Sequence, residues 1–181
     1  MNKEKILNFE LYCLSLTILS GVILKYSMQI FGGNLWTVLI GSANNSIWEN
    51  MKAFSIAYLF WSFIEYCNLK ISIKQFVVSK VAGLYIFIIL GIVIFSIIKY
   101  SMGSSNFFID IVLMMTLVCV SQFFSYRIMA CNIKFQDWFS ISVFSLVLYL
   151  TMMISFTVNP PKASIFMDSD TQLYGINTSK L

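Results

Sequence analysis

Long apolar segments alternate with short polar joins along the whole chain. Several of these segments approach or exceed the ~20 residues that a helix needs to cross the hydrocarbon core of a bilayer. Hydropathy and turn-forming residues together predict five transmembrane helices, at 9–31, 46–67, 76–98, 107–126 and 138–158. Pro160 and Pro161 end the last helix, because proline has no backbone N–H to donate. The predicted fold is an all-α integral membrane protein, with a transmembrane domain at 1–158 and a tail at 159–181.

Composition and charge agree with a bilayer protein and set its expected orientation. The 181 residues are 59% hydrophobic and 11% charged, far from the composition of soluble domains. Basic residues are enriched in cytoplasmic loops, so their distribution predicts the N-terminus inside and the tail outside. The net charge of +4 is explained by this topology, and nucleic acid is not expected as a partner. Predicted inner segments carry Lys3, Lys5, Lys70, Lys74, Arg127 and Lys134; outer ones carry Lys99, Lys162 and Lys180.

Residue types that carry common catalytic and metal chemistry are scarce. The chain has no histidine, which removes the commonest metal ligand and the usual general base near neutral pH. Its four cysteines have no C-x-x-C spacing, so neither a disulfide framework nor a zinc site is indicated. No nucleophile motif or phosphate-binding loop occurs. We therefore expect no catalytic residue, no metal and no cofactor, and the balance is against an enzyme.

Charged residues of three predicted helices lie at one depth, near the outer face. Lys25 belongs to the first helix, Glu49 and Lys52 to the second, and Asp110 to the fourth. Ionisable groups in a membrane usually turn inward, pair and mark function, since exposure to lipid costs at least ~2.5 kcal/mol each. We therefore predict an outward-facing polar pocket covered by the tail. Its candidate residues are Lys25, Asn45, Glu49, Asn50, Lys52, Asp110 and Asp168.

A purely structural explanation of the second helix start stays open. Ser46 and Glu49 fit the capping-box pattern S-x-x-E, in which each side chain accepts from the other residue's backbone N–H. Trp48 also suits an aromatic belt at a membrane interface. Either explanation would account for these residues without a ligand.

Polar residues also follow one face of two predicted helices. At 100° per residue, Glu10 and Thr17 share a narrow arc of the first helix. Asp110, Ser121 and Ser125 share a face of the fourth. We expect both faces to turn inward, either towards a site or as helix–helix contacts made by small and hydroxyl side chains.

Two further carboxylates and one helix are assigned structural roles. Glu10 and Glu65 fall near predicted cytoplasmic helix ends, where Lys5 or Lys70 would pair with them. The third predicted helix is nearly uniformly apolar after Lys80. We expect it to pack at the periphery against lipid and not to line a site.

Five segments together resemble a family of small bacterial multi-pass membrane proteins of unknown function. They are "GVILKY" (21–26), "NNSIWENMK" (44–52), "FFIDI" (107–111), "SQFFSYRI" (121–128) and "FTVNPPKASIFMDSDTQLYGI" (156–176). Members of that family typically read N-E-S-x-W-E-H-x-K early and P-P…F-x-D…Y-G-I at the end. The resemblance implies a shared fold and a bacterial plasma membrane, without a known activity.

This chain departs from the family pattern at chemically informative positions. Lys25 and Asn50 stand where the family usually has His, and Asn45 stands where it has Glu. The family's set of two His and two Glu looks like a metal or acid–base site. Only Glu49 of that set remains here, so the resemblance implies a lost or altered role.

Three functions are compatible with these features. The favoured hypothesis is a binding or transport role that uses the outward-facing polar pocket. The alternative is a structural or accessory membrane subunit, and a membrane-embedded enzyme with an altered family site ranks below both. The expected partners are the lipid bilayer and either a small ligand or a partner membrane protein.

Overall fold

Five long helices make up most of the described chain. The structure, a computed structural model, describes residues 3–102, 107–131 and 136–176. The long helices are α1 (Lys3–Lys25), α4 (Ile47–Asn68), α5 (Ile73–Met102), α6 (Phe107–Met129) and α7 (Phe139–Val158). Two short helices, α2 (Ser27–Phe31) and α3 (Leu35–Ile40), lie between α1 and α4. Single 3-10 turns at Gln136–Trp138 and Ser164–Phe166 precede and follow α7.

Within the described chain, four helices are long and apolar enough to cross a membrane. They are Lys3–Lys25, Ile73–Ile98, Phe108–Met129 and Phe139–Val158. Their outward faces carry large apolar residues, such as Leu19, which is 61% exposed, and Phe144, which is 69% exposed. Charged residues of the bundle, in contrast, are among its most buried, with Lys52 at 1% and Glu65 at 0%. This inversion of the soluble pattern indicates a membrane protein.

Helix α4 corresponds to the second predicted span but is not among these four. It is 22 residues long, and Glu49, Lys52 and Glu65 lower its apolar character. It packs against α1, α5 and α6, and its side chains also contact α7. Thirteen of its residues are buried, so its polar groups face protein. A fifth membrane span therefore stays a prediction.

The first helix differs from its predicted range of 9–31. It begins at Lys3 and ends at Lys25, and the chain then turns into α2 and α3. Asn34 starts α3 with a reciprocal cap, since it and Thr37 accept each other's backbone N–H at 3.0 Å. The returning chain docks on the end of α1, where the Ser42 N–H donates to the Leu24 carbonyl at 3.2 Å. An apolar run alone could not show this reversal.

The peripheral placement predicted for the third span is wrong. Helix α5 packs against α4, α6 and α7, and it buries Leu84, Phe87 and Phe95. Gly83 lets it approach its neighbours closely, because an added Cβ would lie 2.6 Å from Tyr58 Oη and 2.9 Å from the Ser121 carbonyl oxygen. Hydropathy could not predict which face of α5 is buried, because all sides of the helix are similarly apolar.

Two buried apolar clusters divide the bundle along its length. The larger includes Met51, Phe54, Leu84 and Met114 and extends to the tail through Trp48 and Phe166. The smaller, which we call the apolar plug, consists of Ile6, Leu69, Phe76 and Met129. The plug lies where α1 and α5 begin and where α4 and α6 end. We call that end of the bundle the plug end and the other, where the tail packs, the tail end.

Candidate functional site

The start of α4 is organised by side chains of the loop before it. Ser46 caps the helix, since its Oγ accepts from the Glu49 N–H at 3.3 Å. The Ser46 N–H donates instead to Asn44 Oδ1 at 2.9 Å. Glu49 Oε2 accepts from the Ala43 N–H at 2.8 Å, so the carboxylate does not complete the predicted capping box. Half of that motif is present, and Glu49 is turned towards the interior.

Glu49 and Lys52 form a buried ion pair in which every Lys52 donor is used. Lys52 Nζ lies 2.6 Å from Glu49 Oε2, 2.9 Å from the Val38 carbonyl and 2.8 Å from Thr157 Oγ1. Thr157 in turn donates to Glu49 Oε1 at 2.8 Å. An ammonium has three donors, and all three are satisfied here. This pair, which we call the clamp, links α3, α4 and α7. Its ammonium has no donor left for a ligand.

A small pocket opens beside the clamp at the tail end. Its volume is about 20 Å³, enough for about one water molecule. Polar groups come from the loop before α4, from α4, α6 and the tail, and apolar walls come from α4 and α5. The lining residues are Asn45, Ile47, Asn50, Phe95, Ile98, Asp110 and Ser169.

The two pocket amides are oriented by a chain of hydrogen bonds. Asn45 Nδ2 donates to Asp170 Oδ2 at 3.4 Å, and Asn50 Nδ2 donates to Asn45 Oδ1 at 3.1 Å. An ionised carboxylate only accepts, so Asp170 sets the direction of both amides. Asn50 Oδ1 is left buried without a hydrogen-bond partner in the part of the chain that the structure describes. The pocket therefore contains an acceptor that needs a donor or a cation.

Lys25 lies next to the pocket rather than in its wall. It is the last residue of α1 and is half-buried. Asp110 and Asp170 are the carboxylates that act on it electrostatically. Its Nζ also lies 5.8 Å from the centre of the Tyr26 ring. One cation and two carboxylates thus surround the polar side of the pocket.

Asp168 holds the tail in shape and does not face the pocket lining. Its Oδ1 accepts from the Asp170 N–H at 3.1 Å, and its Oδ2 accepts from Thr171 Oγ1 at 2.8 Å. The tail is anchored to the loop before α4, because Asn44 Nδ2 donates to the Gly175 carbonyl at 2.9 Å. Gly175 has a backbone φ of +76°, a conformation that residues other than glycine rarely adopt. The tail turn is thereby fixed over this loop.

An aromatic cluster secures the tail from below. Trp48 is buried and its ring centre lies 5.4 Å from that of Phe156 and 5.3 Å from that of Phe166. Trp48 therefore contacts protein on most of its surface, and its position at a membrane interface stays a prediction. Its large apolar surface packs the tail against α4 and α7.

The seven predicted pocket residues thus divide into four groups. Asn45, Asn50 and Asp110 line the pocket, and Lys25 lies beside it. Glu49 and Lys52 form the clamp, and Asp168 shapes the tail turn. Among the described residues, no three Cys, Asp or Glu side chains group closely enough to hold a metal ion.

A second charged cluster lies near the plug end and was not predicted as a site. Lys80 Nζ of α5 is 2.8 Å from Glu10 Oε1 of α1 and 2.6 Å from Glu65 Oε2 of α4. The predicted pairing of these carboxylates with Lys5 or Lys70 is therefore wrong. The inward orientation of Glu10, Thr17, Asp110, Ser121 and Ser125 is confirmed by their burial.

Helix α6 completes the surroundings of this Glu10–Lys80–Glu65 cluster. Gln122 Oε1 accepts from Lys80 Nζ at 3.2 Å, and Ser125 Oγ donates to Glu10 Oε1 at 3.2 Å. The Tyr58 and Phe76 ring centres lie 5.7 Å and 5.6 Å from Lys80 Nζ. A signal was present in the sequence, because all three charged residues interrupt apolar runs on the same predicted side of the membrane.

Both charged clusters lie within a region that matches a single protein family. The family of unknown function DUF6512 matches residues 1–176. The chain belongs to this family. Membership agrees with the resemblance to an uncharacterised family, and the matched region includes all long helices and the described tail. The comparison with curated proteins finds no match, and neither does the comparison with solved structures.

Proposed function

We propose that this DUF6512 member is a five-span protein of the cell membrane that binds a small monovalent cation in its tail-end pocket. Its N-terminus is inside and its tail outside, so the pocket faces out. Its role is binding or transport of that cation. The observation that carries the proposal is Asn50 Oδ1, which has no hydrogen-bond partner among the described residues and lies in the same pocket wall as the Asp110 carboxylate.

The position of α4 supports the fifth span. With 22 residues, and about 1.5 Å of rise for each, it is about 33 Å long, which matches the ~30 Å hydrocarbon core. Candidate spans α1, α5 and α6 pack around it. Its charged residues pair within the protein, so a low overall hydropathy is compatible with crossing.

The charge and size of the pocket favour a small monovalent cation. Asn50 Oδ1 has no donor among the described residues, and the two carboxylates near the pocket, Asp110 and Asp170, outnumber the one cation on which both act, Lys25. A single lining carboxylate, Asp110, suits a monovalent ion better than a divalent one, which usually takes several. Space for about one water admits an ammonium or alkali-metal ion and excludes a larger solute.

The departures from the resembling family's motif agree with an altered site. Asn45 and Asn50 line the pocket, and Lys25 lies beside it. Neutral amides at two of these positions provide oxygen ligands but no general base near neutral pH. We therefore assign the pocket a binding role and not acid–base catalysis.

Thermal unfolding of the purified full-length protein tests the cation site. Sodium, potassium and ammonium chlorides are titrated at constant ionic strength, with a bulky organic cation as the balance. We expect at least one of the three to raise the unfolding midpoint saturably, because a ligand stabilises the state that binds it. Asp110→Asn, which keeps the shape but removes the charge, should weaken the apparent affinity at least tenfold.

Asp137→Asn provides the matched control, because this exposed carboxylate lies between α6 and α7, near the plug end. It should keep the wild-type response. A midpoint insensitive to all three cations, or an Asp110→Asn variant with wild-type affinity, would contradict the proposed site. Flux of the bound cation into proteoliposomes then separates the two roles: Asp110-dependent flux indicates transport, and binding without flux indicates a binding protein.

A further inference from the structure

We infer that the Glu10–Lys80–Glu65 cluster is a proton-binding site that holds one exchangeable proton on its pair of carboxylates. This site lies near the plug end, whereas the proposed cation pocket lies at the tail end. The inference rests on the contacts of the cluster alone and does not depend on the proposed function.

The first argument is the charge balance. Two carboxylates contact one ammonium, so the fully ionised cluster carries a net charge of −1. All three side chains are at most 4% exposed, so that charge is shielded from bulk solvent. An uncompensated charge in a protein interior or a bilayer is strongly unfavourable. A single proton on either carboxylate makes the cluster neutral.

The neighbouring groups provide no second cation. Cys13 of α1 and Tyr58 of α4 face the cluster, and both are uncharged when protonated. Helix α6 contributes the neutral side chains of Gln122 and Ser125. Among the residues that the structure describes, Lys80 is the one cation in contact with either carboxylate. The imbalance is therefore not corrected from any side.

The geometry selects a proton over other ligands. Lys80 Nζ already contacts both carboxylates, at 2.8 Å and 2.6 Å, so a metal cation would have to displace it. An anion would be repelled by the carboxylates. Glu10 Oε2 and Glu65 Oε1 are buried, and neither has a hydrogen-bond partner within the described residues. These oxygens can carry the proton without breaking an ion pair.

The clamp at the tail end offers an internal contrast. Glu49 and Lys52 are paired one to one, and both Glu49 oxygens accept hydrogen bonds. That pair is already neutral and needs no proton. The same bundle thus contains a balanced pair and an unbalanced cluster, which predicts different behaviour for their carboxylates.

Infrared spectroscopy of the full-length protein in lipid vesicles tests the inference over a pH series. The wild type should show the C=O stretch of a buried carboxylic acid, which shifts in D₂O and disappears at alkaline pH. Glu10→Gln and Glu65→Gln should each abolish that band, since the remaining carboxylate then pairs one to one with Lys80. Glu4→Gln changes an exposed carboxylate of α1 and should leave the band intact.

Lys80→Met provides a change in the opposite direction, which loss of folding cannot imitate. Without the ammonium, both carboxylates should be protonated, and the band area should roughly double. Absence of the band from the wild type would overturn the inference. So would a band that persists in both glutamine variants, or one that Lys80→Met leaves unchanged.

Discussion

Lys80 shows how much one side chain can determine in this bundle. Its ammonium joins α1, α4 and α6 to its own helix through Glu10, Glu65 and Gln122. All of these groups are buried, so without the cation each carboxylate stays in the interior only if it binds a proton, which costs folding free energy at neutral pH. The contribution of Lys80 to stability is therefore best measured by removing its ammonium.

Lys80→Met is therefore expected to lower the free energy of unfolding by about 3–5 kcal/mol, the usual cost of breaking a buried ion pair. Replacing Glu10 and Glu65 by Gln in the same chain should restore most of that loss, because no carboxylate then has to be protonated when the protein folds. Thermal or denaturant unfolding in one detergent measures both effects. Lys74→Met, at an exposed position of α5, is the control and should be nearly neutral.

A small effect of Lys80→Met, close to that of Lys74→Met, would show that the cluster does not bear on stability. Equally, a triple variant no more stable than Lys80→Met would indicate lost packing instead of the cost of burying two carboxylates without their cation. The two results separate electrostatics from the volume of the side chain.

For single residues, the sequence predicted which charged side chains are buried better than it predicted their ion-pair partners. Helical spacing correctly turned Glu10 and Asp110 inward, because the period of a helix fixes which residues share a face. It could not pair Glu10 with Lys80, since that requires knowing which helices are neighbours. The Glu49–Lys52 pair is easier to predict from the sequence, because the two residues are three positions apart on one helix.

Among the elements, α4 departs furthest from a simple apolar helix. A polar stripe of residues three or four positions apart winds around the helix from one end to the other, and every member of the stripe is buried. The stripe joins the clamp at one end of the helix to the Glu10–Lys80–Glu65 cluster at the other. Its members are Glu49, Lys52, Ser55, Tyr58, Ser62 and Glu65.

The contact between α5 and α6 gives a sharper test of element packing. Gly83→Ala should destabilise the protein by about 1–3 kcal/mol, because overpacking a close contact forces neighbours to move. The added Cβ would lie 2.9 Å from the Ser121 carbonyl oxygen, a backbone atom that cannot rotate away. Unfolding in detergent measures the change.

Ser96→Thr is the matched control, since it adds one methyl group at an exposed position of α5. It should change stability by less than about 0.5 kcal/mol. If Gly83→Ala unfolds like the wild type, the close approach of these helices at Gly83 is incorrect.

Element prediction succeeded where length and apolarity were decisive. Helix α7 spans Phe139–Val158, against a predicted 138–158, because proline ends it cleanly. It failed where tertiary contacts determine where a helix ends or which neighbours it packs against. The turn after Lys25 depends on a loop that folds back, and the central position of α5 depends on glycines that permit close contact. Neither feature has a hydropathy signal.

Away from the helix ends, the charged side chains of the described helices face inward, and many large apolar side chains face outward. Lipid requires this, because neither an unpaired charge nor an unpaired backbone group is tolerated in hydrocarbon. Four helices show this arrangement in their apolar composition. Helix α4 lacks this apolar composition, because most of its polar side chains contact protein and not lipid. The number of spans therefore depends on α4.

Single-cysteine labelling in whole cells tests this topology most directly. On a background without Cys13, Cys67, Cys119 and Cys131, one cysteine is placed at each of the exposed positions Lys3, Lys70 and Lys162. With five spans and the N-terminus inside, a membrane-impermeant maleimide should label position 162 in intact cells. Positions 3 and 70 should react only after permeabilisation. Labelling of positions 3 and 162 from the same side would mean an even number of spans and would contradict the account.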